Sequence, residues 1–399
     1  MRFVLILALG VFALSGCLFG LSQEISTLET DFVLGTNDFG LKLLRTTWEK
    51  EGGNAFVSPA SLEICLAMIA YGARGETQRE IYKTLGLSGL SGRVDEENRK
   101  LVESLHVTTS GITLKTANSL WAEKSMPFYE EYLKAIKDLY YAEGYSVDLT
   151  NPGILSRIND WVRTKTQGTI ERILDSLPAN AILVLLNATY FQGKWEIAFD
   201  PARTEDLPFC TPQGPRNIPT MWQEGEFLYL ESSTFQAIRL PYTGKTFSMY
   251  IFLPKERDGL KTLLETLSAQ ALNAYFEAMQ EKRGEVFLPR LRVTFERTIN
   301  DTLQELGIRR AFDPYGADFS GMLPLSPAYN AYLSEVRHKT FLEVHEEGTE
   351  AAGVTSGVIA ITAVPLDRFT MRIDHPFFLC IRDERTGVLL FAGAIENPV

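Results

Sequence analysis

The sequence predicts an α+β fold in a single domain. Segments with helical spacing of apolar residues and segments typical of strands follow one another without regular β-α-β alternation, which favours antiparallel and mixed sheets. The run Ala181 to Phe191 is almost wholly apolar and is typical of a strand buried on both faces. No Pro/Ser-rich linker, internal repeat or low-complexity segment divides the 399 residues, so one domain is expected.

Helices are predicted where apolar residues recur every three or four positions. The second helix is the most distinctive, because Ser58 and Pro59 form a capped start and the following residues are apolar nearly all round, as in a core helix. The predicted helices are Ser22–Glu51, Ala60–Tyr71, Gln78–Leu85, Val94–Leu105, Glu130–Leu139, Asn151–Thr166, Leu260–Gln280 and Ile299–Leu306.

Strands are predicted where β-branched and aromatic residues cluster between turn signals. Short strands alternate with turns from Phe227 to Pro254. The other predicted strands are Ala55–Val57, Ile112–Ala122, Glu143–Leu149, Ala181–Phe191, Glu285–Phe295, Ala331–Val344, Phe369–Arg372, Pro376–Arg382 and Gly387–Ala394.

One segment, Val344 to Pro365, fits neither class well. Between Gly348 and Ile361 it has no Lys, Arg, Pro or aromatic residue. Read with the period of a strand, one face is small and uncharged and then apolar, whereas the other face carries the only charge. Gly353 and Gly357 weaken it as a permanent strand. Taken alone it is either a Gly/Ala-rich surface loop or a segment that switches between loop and strand.

Composition is that of an ordinary globular protein, with 45% hydrophobic and 22% charged residues. The formal net charge is −11 and basic runs are missing. Nucleic acid is therefore not expected as a partner, and a monomer is expected.

The first residues are typical of a targeting segment. Arg2 gives a positive start, and Phe3 to Leu14 is apolar but too short to span a bilayer as a mature helix. Leu14-Ser15-Gly16-Cys17 resembles a bacterial lipobox, in which Cys17 becomes the lipidated first residue; the alternative is an ordinary secretory signal with an incidental cysteine. Either way we expect an extracytoplasmic protein, anchored to a bacterial cell envelope through Cys17 or released from it. The expected divisions are a signal peptide at 1–16, a tether at 17–21 and one domain at 22–399.

The remaining cysteines form no recognisable framework. Cys65, Cys210 and Cys380 are odd in number and widely spaced, which excludes a disulfide scaffold and a zinc pattern. Cys65 and Cys380 lie in apolar surroundings and are predicted to be buried thiols.

Three enzyme motifs are present only in incomplete form. Gly244-Lys245-Thr246 lacks the upstream glycine of a phosphate loop, and His345-Glu346 lacks the second histidine of a zinc-protease helix. The nearest approach to a nucleophile elbow, Gly353 to Gly357, has Thr355 at its centre. No histidine has metal-ligand spacing, so neither an enzyme nor a metal or cofactor is predicted.

Several separated segments resemble the serpin family, together from about Ser22 to Pro398. Each is weak alone, but their order and intervals make the set specific. The segments are Asn54–Ser61, Leu185–Trp195, Leu240–Tyr242, Ile251–Pro254, Leu288–Arg290, Ala317–Gly321, Glu346–Ala352 and Asp374–Phe378.

The resemblance implies three β-sheets, eight or nine helices and an exposed reactive-centre loop at about residues 346–368. Family members bait a protease with this loop. The protease attacks one bond and becomes acylated, and the cut loop then inserts into the main sheet as an extra strand, which distorts the protease. The implied partner is a target protease.

The resemblance also assigns a hinge, in which the buried face must be small for the loop to enter the sheet. Thr349, Ala351 and Gly353 meet this requirement, which favours inhibition over a non-inhibitory serpin that acts as a binding or chaperone-like module. Val354 departs from the family pattern but faces outward in the alternation. The hinge residues are Glu346, Glu347, Gly348, Thr349, Glu350, Ala351, Ala352 and Gly353.

Counting along the loop places the bait bond. Fifteen residues from Gly348, counted as the first, lead to Thr362, with the cut before Ala363; Ile361 and Ala363 are neighbouring alternatives because loop lengths vary. No Lys or Arg lies between the hinge and Arg368, which disfavours a trypsin-like target. Small and β-branched flanks favour an elastase-like or subtilisin-like protease, and a papain-like cysteine protease that reads Ile361 is a second option.

Five further residues match family positions along the main sheet. Ser58, Ser61, Asn187 and His338 correspond to a polar cluster beneath the opening sheet, although buried polar residues that are simply hydrogen-bonded would have the same pattern. Trp195 corresponds to the family's aromatic residue at the point where the loop enters the main sheet. A gating role and ordinary core packing are the two alternatives for it.

Overall fold

A computed structural model describes residues 27–90, 92–105, 111–324, 330–348 and 368–399. The predicted signal peptide, Cys17 and tether lie outside this part of the chain. So do the hinge residues beyond Gly348 and the predicted bait bond, since residues 349–367 are not described.

Nine α-helices occur in the described residues, which agrees with the expected number. They are α1 (Thr30–Glu51), α2 (Pro59–Gly72), α3 (Gly75–Thr84), α4 (Val94–Leu105), α5 (Glu130–Tyr140), α6 (Ile154–Lys165), α7 (Leu260–Thr266), α8 (Ala269–Ala278) and α9 (Asn300–Leu306).

Fourteen strands are formed in the same part of the chain. They are β1 (Ala55–Val57), β2 (Ile112–Glu123), β3 (Glu143–Val147), β4 (Leu183–Gly193), β5 (Glu205–Thr211), β6 (Gly214–Glu231), β7 (Phe235–Pro241), β8 (Phe247–Pro254), β9 (Gln280–Pro289), β10 (Leu291–Thr298), β11 (Leu333–Val344), β12 (Phe369–Arg372), β13 (Phe377–Asp383) and β14 (Leu389–Ile395).

The strands form two hydrogen-bonded sheets. The five-stranded sheet has the order β10-β11-β4-β2-β3, and the nine-stranded sheet runs β1-β14-β13-β8-β7-β6-β9-β12 with β5 added beside β6. The predicted α+β class with mixed sheets is confirmed. Where three sheets were expected, the long strand β6 joins two of them, because it pairs with β9 along Thr220–Tyr229 and with β7 at Tyr229–Glu231.

Helix α2 is the centre of the core. Every residue of this helix except Tyr71 is buried, as the all-round apolar pattern predicted. It packs against α1, against β14 of the nine-stranded sheet and against β4 of the five-stranded sheet. The N-terminal end of α2 therefore lies where the two sheets meet.

Two predictions are wrong, because a single helix and a single strand were each predicted where the structure has two elements. The helix predicted at Leu260–Gln280 breaks into α7 and α8 at Ser268, whose hydroxyl accepts a hydrogen bond from the backbone N–H of Ala271 and starts a new helix. The strand predicted at Glu285–Phe295 is β9 followed by β10, in different sheets. Pro289 has no N–H to donate to a ladder, and β9 ends there.

The hairpin of β5 and β6 was not predicted. Its strands contain Pro208, Pro215 and Pro219, which argue against strands in a sequence. In the structure β5 pairs only with β6, so Pro208 lies on an edge strand where a missing donor is tolerated.

Candidate functional site

The candidate site follows the boundary between strands β4 and β11, which we call the seam. These two strands are parallel neighbours, with Asn187 opposite His338 and Tyr190 opposite Phe341. Their outer neighbours, β2 and β10, are both antiparallel to them. Parallel pairing is slightly less stable per residue than antiparallel pairing, so the seam is the weaker joint in the middle of the sheet.

A tight turn lies directly after β11. The N–H of His345 donates to the Gly348 carbonyl at 2.8 Å, and the N–H of Gly348 donates back to the His345 carbonyl at 3.0 Å. The chain therefore reverses direction over Glu346 and Glu347. Gly348 itself is thus antiparallel to His345, the residue that follows β11.

Gly348 is also bridged to the other side of the seam. It pairs antiparallel with Lys194, one residue beyond the end of β4. Its φ is +133°, and a Cβ at this position would lie 2.2 Å from the Gly193 carbonyl oxygen and 2.5 Å from the Lys194 Cα. Only glycine fits, because a side chain would collide with backbone that cannot move aside. The predicted hinge glycine is thus lodged between the ends of the two strands.

The chain after β4 holds this turn in place. Trp195 N–H donates to the Glu347 carbonyl at 3.0 Å, and Phe199 N–H donates to the Glu346 carbonyl at 2.8 Å. The indole Nε1 of Trp195 donates to the His345 carbonyl at 3.0 Å. We call residues 345–348 with their contacts to 193–199 the hinge anchor.

Trp195 packs in the core and also contacts the turn, so ordinary core packing is observed and the gating role stays a prediction. Its ring stacks on Tyr242, with centroids 4.6 Å apart and planes at 9°, and it is almost fully buried. The same side chain bonds the turn through its indole nitrogen. It is a core residue that also holds the hinge.

An ion pair fixes the hinge anchor from outside. Arg290 donates from Nε and Nη2 to the Glu346 carboxylate, at 3.0 and 2.6 Å, and Thr204 donates to the same group. Burial raises the pKa of Glu346, but the hydrogen bonds from Arg290 and Thr204 outweigh it and hold the pKa below its ordinary value. Glu346 is therefore a carboxylate at neutral pH.

The predicted polar cluster is assembled around His338. Its Nε2 accepts from the Ser58 N–H at 3.1 Å, and its Nδ1 lies 2.6 Å from Asn187 Oδ1. Since Nε2 accepts, the proton of the neutral ring is assigned to Nδ1 and is donated to Asn187. Full burial lowers the pKa of His338 from 6.5 to about 3, which keeps the ring neutral.

Asn187 connects this histidine to the helix below. Its amide nitrogen donates to Ser61 Oγ and, at 2.6 Å, to Asn118 Oδ1, and Thr189 Oγ1 donates to Ser61 Oγ at 2.7 Å. Ser58 Oγ donates to the Leu390 carbonyl at 2.7 Å. The seam cluster, as we call it, comprises Ser58, Ser61, Asn118, Asn187, Thr189 and His338.

Four of these six residues, Ser58, Ser61, Asn187 and His338, are predicted from the sequence. Asn118 and Thr189 were missed, although each is a polar residue inside a strand that is otherwise well buried. Strand register brings Asn118 into the cluster, because it lies directly opposite Asn187 in the antiparallel pair of β2 and β4. The bond from His338 to Asn187 crosses the seam, so separating β4 from β11 must break it.

Cysteines and potential metal ligands form no second site within the described ranges. Cys65 and Cys380 are buried and unbonded, as predicted, and Cys210 is half-buried. Burial raises the pKa of the Cys65 and Cys380 thiols, which makes them unreactive. The described residues contain no group of three or more side chains suited to a metal ion. Among the helices described, none combines the length and apolar character needed to cross a bilayer.

Comparison with known proteins agrees with this architecture. The family model for Serpin (serine protease inhibitor) matches residues 34–398. An uncharacterised serpin-like protein of Thermococcus kodakarensis is 36% identical over 351 residues, covering 86% of this chain and 81% of that protein. The chain belongs to the serpin family.

Solved structures show the same fold. The native form of tengpin, a thermophilic serpin, superposes with a TM-score of 0.85 at 29% identity, covering 93% of this chain and 95% of that one. Human thyroxine-binding globulin in complex with its ligand superposes with a TM-score of 0.84 at 27% identity, covering 92% and 98%.

Proposed function

We propose that this serpin is a suicide-substrate inhibitor of serine proteases with small apolar specificity, elastase-like or subtilisin-like. The protease cuts the loop at about Thr362-Ala363, and the cut loop inserts into the seam. The observation that carries the proposal is the position of Gly348, which is antiparallel to the chain at the ends of both β11 and β4.

The direction of the chain supports insertion. Because β4 and β11 are parallel and the chain reverses at Gly348, a strand that continues from Gly348 down the seam is antiparallel to both neighbours. One parallel ladder is then replaced by two antiparallel ladders, which are the more stable kind. Each inserted residue exchanges solvated backbone groups for ladder hydrogen bonds, at about 0.5–1.5 kcal/mol per bond.

The distance moved explains why insertion can disable a protease. About 14 residues separate Gly348 from the expected cut, and at ~3.3 Å per residue their insertion carries the acylated end roughly 45–50 Å along the sheet. The small residues Thr349, Ala351 and Gly353 alternate on the face that would turn toward the core. That pattern supports an inhibitor.

Specificity is proposed from the loop sequence. The residues around the expected cut are small or β-branched, and no Lys or Arg lies between the hinge and Arg368. A pocket that accepts small apolar side chains fits such a loop. A papain-like cysteine protease that reads Ile361 stays the alternative within the inhibitor class.

A non-inhibitory binding function is the second candidate. Human thyroxine-binding globulin, which shares this fold, binds thyroxine. For such a serpin the loop would be cleaved without trapping the protease. The small hinge face favours inhibition over this alternative.

We also propose that the protein acts outside the cytoplasm as a monomer, held on a bacterial envelope by lipidated Cys17. The location and the lipid anchor are proposed from the lipobox-like Leu14 to Cys17 alone. Metabolic labelling with a radioactive fatty acid should mark the wild type and not Cys17→Ala. Equal labelling of the two would refute the anchor and leave the secretory alternative.

The inhibitory function is tested on a denaturing gel against elastase, subtilisin and papain. We expect a complex that survives denaturant with one of the first two, and mass spectrometry of the released peptide should place the cut at Thr362-Ala363 or one residue away. Cleavage by every protease without such a complex would refute inhibition and favour the binding function.

A pair of hinge variants makes this test specific for insertion. Thr349→Arg places a charged side chain on the face expected to turn inward, so the protein should become a substrate that is cut and released. Glu350→Arg makes the same change on the opposite face and should still form the complex. Undiminished inhibition by Thr349→Arg would contradict insertion.

A further inference from the structure

Helix α2 contains an acid that the proposed inhibition does not use. Glu63 follows Ser61 of the seam cluster by two residues and is completely buried. No ion pair reaches it in the described part of the chain. A buried carboxylate without a cation is costly, so its protonation state needs an explanation.

The partner of Glu63 is an amide on helix α4. Asn98 Nδ2 donates to Glu63 Oε1 at 3.0 Å and to the Val94 carbonyl at 3.0 Å. A carbonyl only accepts, so the Val94 contact assigns the nitrogen of Asn98 to this position. Both N–H groups of the Asn98 amide are thereby used.

The two residues also carry two orphaned atoms. Glu63 Oε2 and Asn98 Oδ1 are both buried, and neither has a hydrogen-bond partner. If Glu63 is ionised, both atoms only accept and no bond between them can form. A single proton on Oε2 changes one of them into a donor. It would complete a ring of two hydrogen bonds, Nδ2–H to Oε1 and Oε2–H to Oδ1.

We propose that Glu63 is a neutral carboxylic acid in the folded protein, joined to Asn98 in a reciprocal acid–amide pair that latches α2 to α4. The latch opens when the acid ionises. It thus makes the packing behind the seam cluster sensitive to alkaline pH.

The surroundings of Glu63 favour the neutral form. Burial raises the pKa of Glu63 from 4.5 to about 8, the Asn98 bond opposes the rise, and Asp95 of α4 adds to it. The other titratable groups nearby are the hydroxyls of Tyr140 on α5 and Tyr82 on α3, whose own pKa values burial raises. Elements α1, β2, β4 and β14 also pack on α2. Within the described residues, none of them places a charged group that shifts the pKa of Glu63.

The direction of the pH effect follows from these pKa values. Below pH 4.5 the acid is protonated in the folded and unfolded chain alike, and its contribution does not vary. Between 4.5 and about 8 the folded protein holds a proton that the unfolded chain has lost, so stability falls as pH rises, by up to about tenfold in the unfolding constant per pH unit. Above about 8 the loss is complete.

Glu63→Gln tests the latch with little change of shape. Its amide offers Oε1 to Asn98 Nδ2 and Nε2–H to Asn98 Oδ1, which reproduces both bonds without a titrating group. We expect variant and wild type to unfold at the same urea concentration at pH 5. At pH 9 the unfolding constant of the wild type should exceed that of the variant by more than about a hundredfold.

Glu97→Gln is the matched control. Glu97 is also buried on α4, but Lys100 Nζ lies 2.6 Å from its carboxylate. This variant should keep the alkaline loss of the wild type. A difference between wild type and Glu63→Gln that stays constant from pH 5 to 9 would overturn the proposal.

Infrared spectroscopy reads the proton directly and without relying on unfolding. The folded wild type at pH 6 should show the C=O stretch of a protonated carboxylic acid, and this band should vanish as pH rises through about 8. Glu63→Gln should lack it, and Glu97→Gln should retain it. Absence of the band from the wild type at pH 6 would show that Glu63 is ionised and that no acid–amide pair exists.

Discussion

The hinge anchor and the seam cluster hold the same two strands together by different means. The hinge anchor uses backbone hydrogen bonds and the ion pair of Glu346 with Arg290, whose side chain is 44% exposed. The seam cluster is dry and neutral, with His338 and Asn187 fully buried. At one end of the seam the strands are held by an ion pair that solvent can reach. In the middle they are held by buried neutral side chains that solvent cannot reach.

This difference indicates where the seam should open first and how much free energy each opening should cost. Partly exposed ion pairs are screened by salt and are exchanged for water without a large penalty. Buried neutral hydrogen bonds leave unsatisfied groups when they break, at about 1–3 kcal/mol for each group. We infer that insertion begins at the hinge anchor and is slowed at the seam cluster.

Mild acid should separate the two regions most strongly. The pKa of His338 falls from 6.5 in the unfolded chain to about 3 in the fold, so the cluster contributes full stability above pH 6.5 and loses it as pH falls toward 3. The total is on the order of 5 kcal/mol. The Glu346 pKa is lowered from 4.5, so the hinge anchor weakens only below that pH. Glu63 also titrates in this range and shifts stability in the opposite direction, so the measurement is made on Glu63→Gln, in which urea unfolding at pH 6.5 and 5 should report the cluster.

A glutamine at position 338 is the control for this pH effect. His338→Gln can accept from the Ser58 N–H and donate to Asn187 without titrating. In the same Glu63→Gln background, the variant's stability should change much less between pH 6.5 and 5 than that of the protein that keeps His338. If the two proteins lose stability in parallel, the histidine is not the group responsible.

Removing Asn187 should have the next largest effect. Asn187→Ala removes one hydrogen bond from each of His338, Ser61 and Asn118 in a buried site, at a cost of about 3 kcal/mol in the free energy of unfolding. Urea unfolding measures the loss. Asn217→Ala, at an exposed position of β6, is the control and should change stability by less than about 0.5 kcal/mol. A similarly small change for Asn187→Ala would show that the seam cluster does not stabilise the fold.

Reversing the charge of Glu346 should weaken the hinge anchor by about 2 kcal/mol. Glu346→Lys puts two cations together where Arg290 now makes a bidentate bond. We expect faster spontaneous conversion to inserted or polymeric forms on heating, since an open seam accepts a matching strand. Combining Arg290→Glu with Glu346→Arg should restore much of the wild-type rate. Failure of this rescue would show that the ion pair does not hold the hinge.

Loss of the indole bond should be the smallest effect, about 1 kcal/mol. Trp195→Phe keeps an aromatic ring against Tyr242 and removes the donor to the His345 carbonyl. The rate of loop insertion after cleavage should rise. Trp222→Phe removes a comparable bond, from Nε1 to Glu285 at 3.0 Å in the nine-stranded sheet, and should leave that rate unchanged. Equal rates of loop insertion for the two variants would show that the Trp195 indole bond does not hold the hinge anchor.

Local pattern predicted much of the fold. Helix α4 and strand β12 have the predicted bounds, and α2 is the predicted core helix, because each depends on a short run of residues. Elements interrupted by Ser268 and Pro289 were predicted as continuous, since apolar spacing alone does not show where a chain changes sheet. Contacts between distant residues were not predictable in this way. The pairing of Glu346 with Arg290 and of Gly348 with Lys194 depends on the assembled fold.

The family resemblance added residues that pattern alone would not have selected. It brought Ser58, Ser61, Asn187 and His338 together, and the structure places all four in one network. It did not supply Asn118 or Thr189, whose roles depend on strand register. Thr349 to Gly353 and Thr362-Ala363 stay predictions, because they lie outside the described residues.

Insertion of the cut loop into the seam can be observed in a structure of the protein after cleavage. We predict a sixth strand in the five-stranded sheet, antiparallel to both β4 and β11, with Asn187 and His338 moved apart and their hydrogen bond broken. A cleaved protein in which β4 and β11 are still neighbours, with Asn187 opposite His338, would contradict the account.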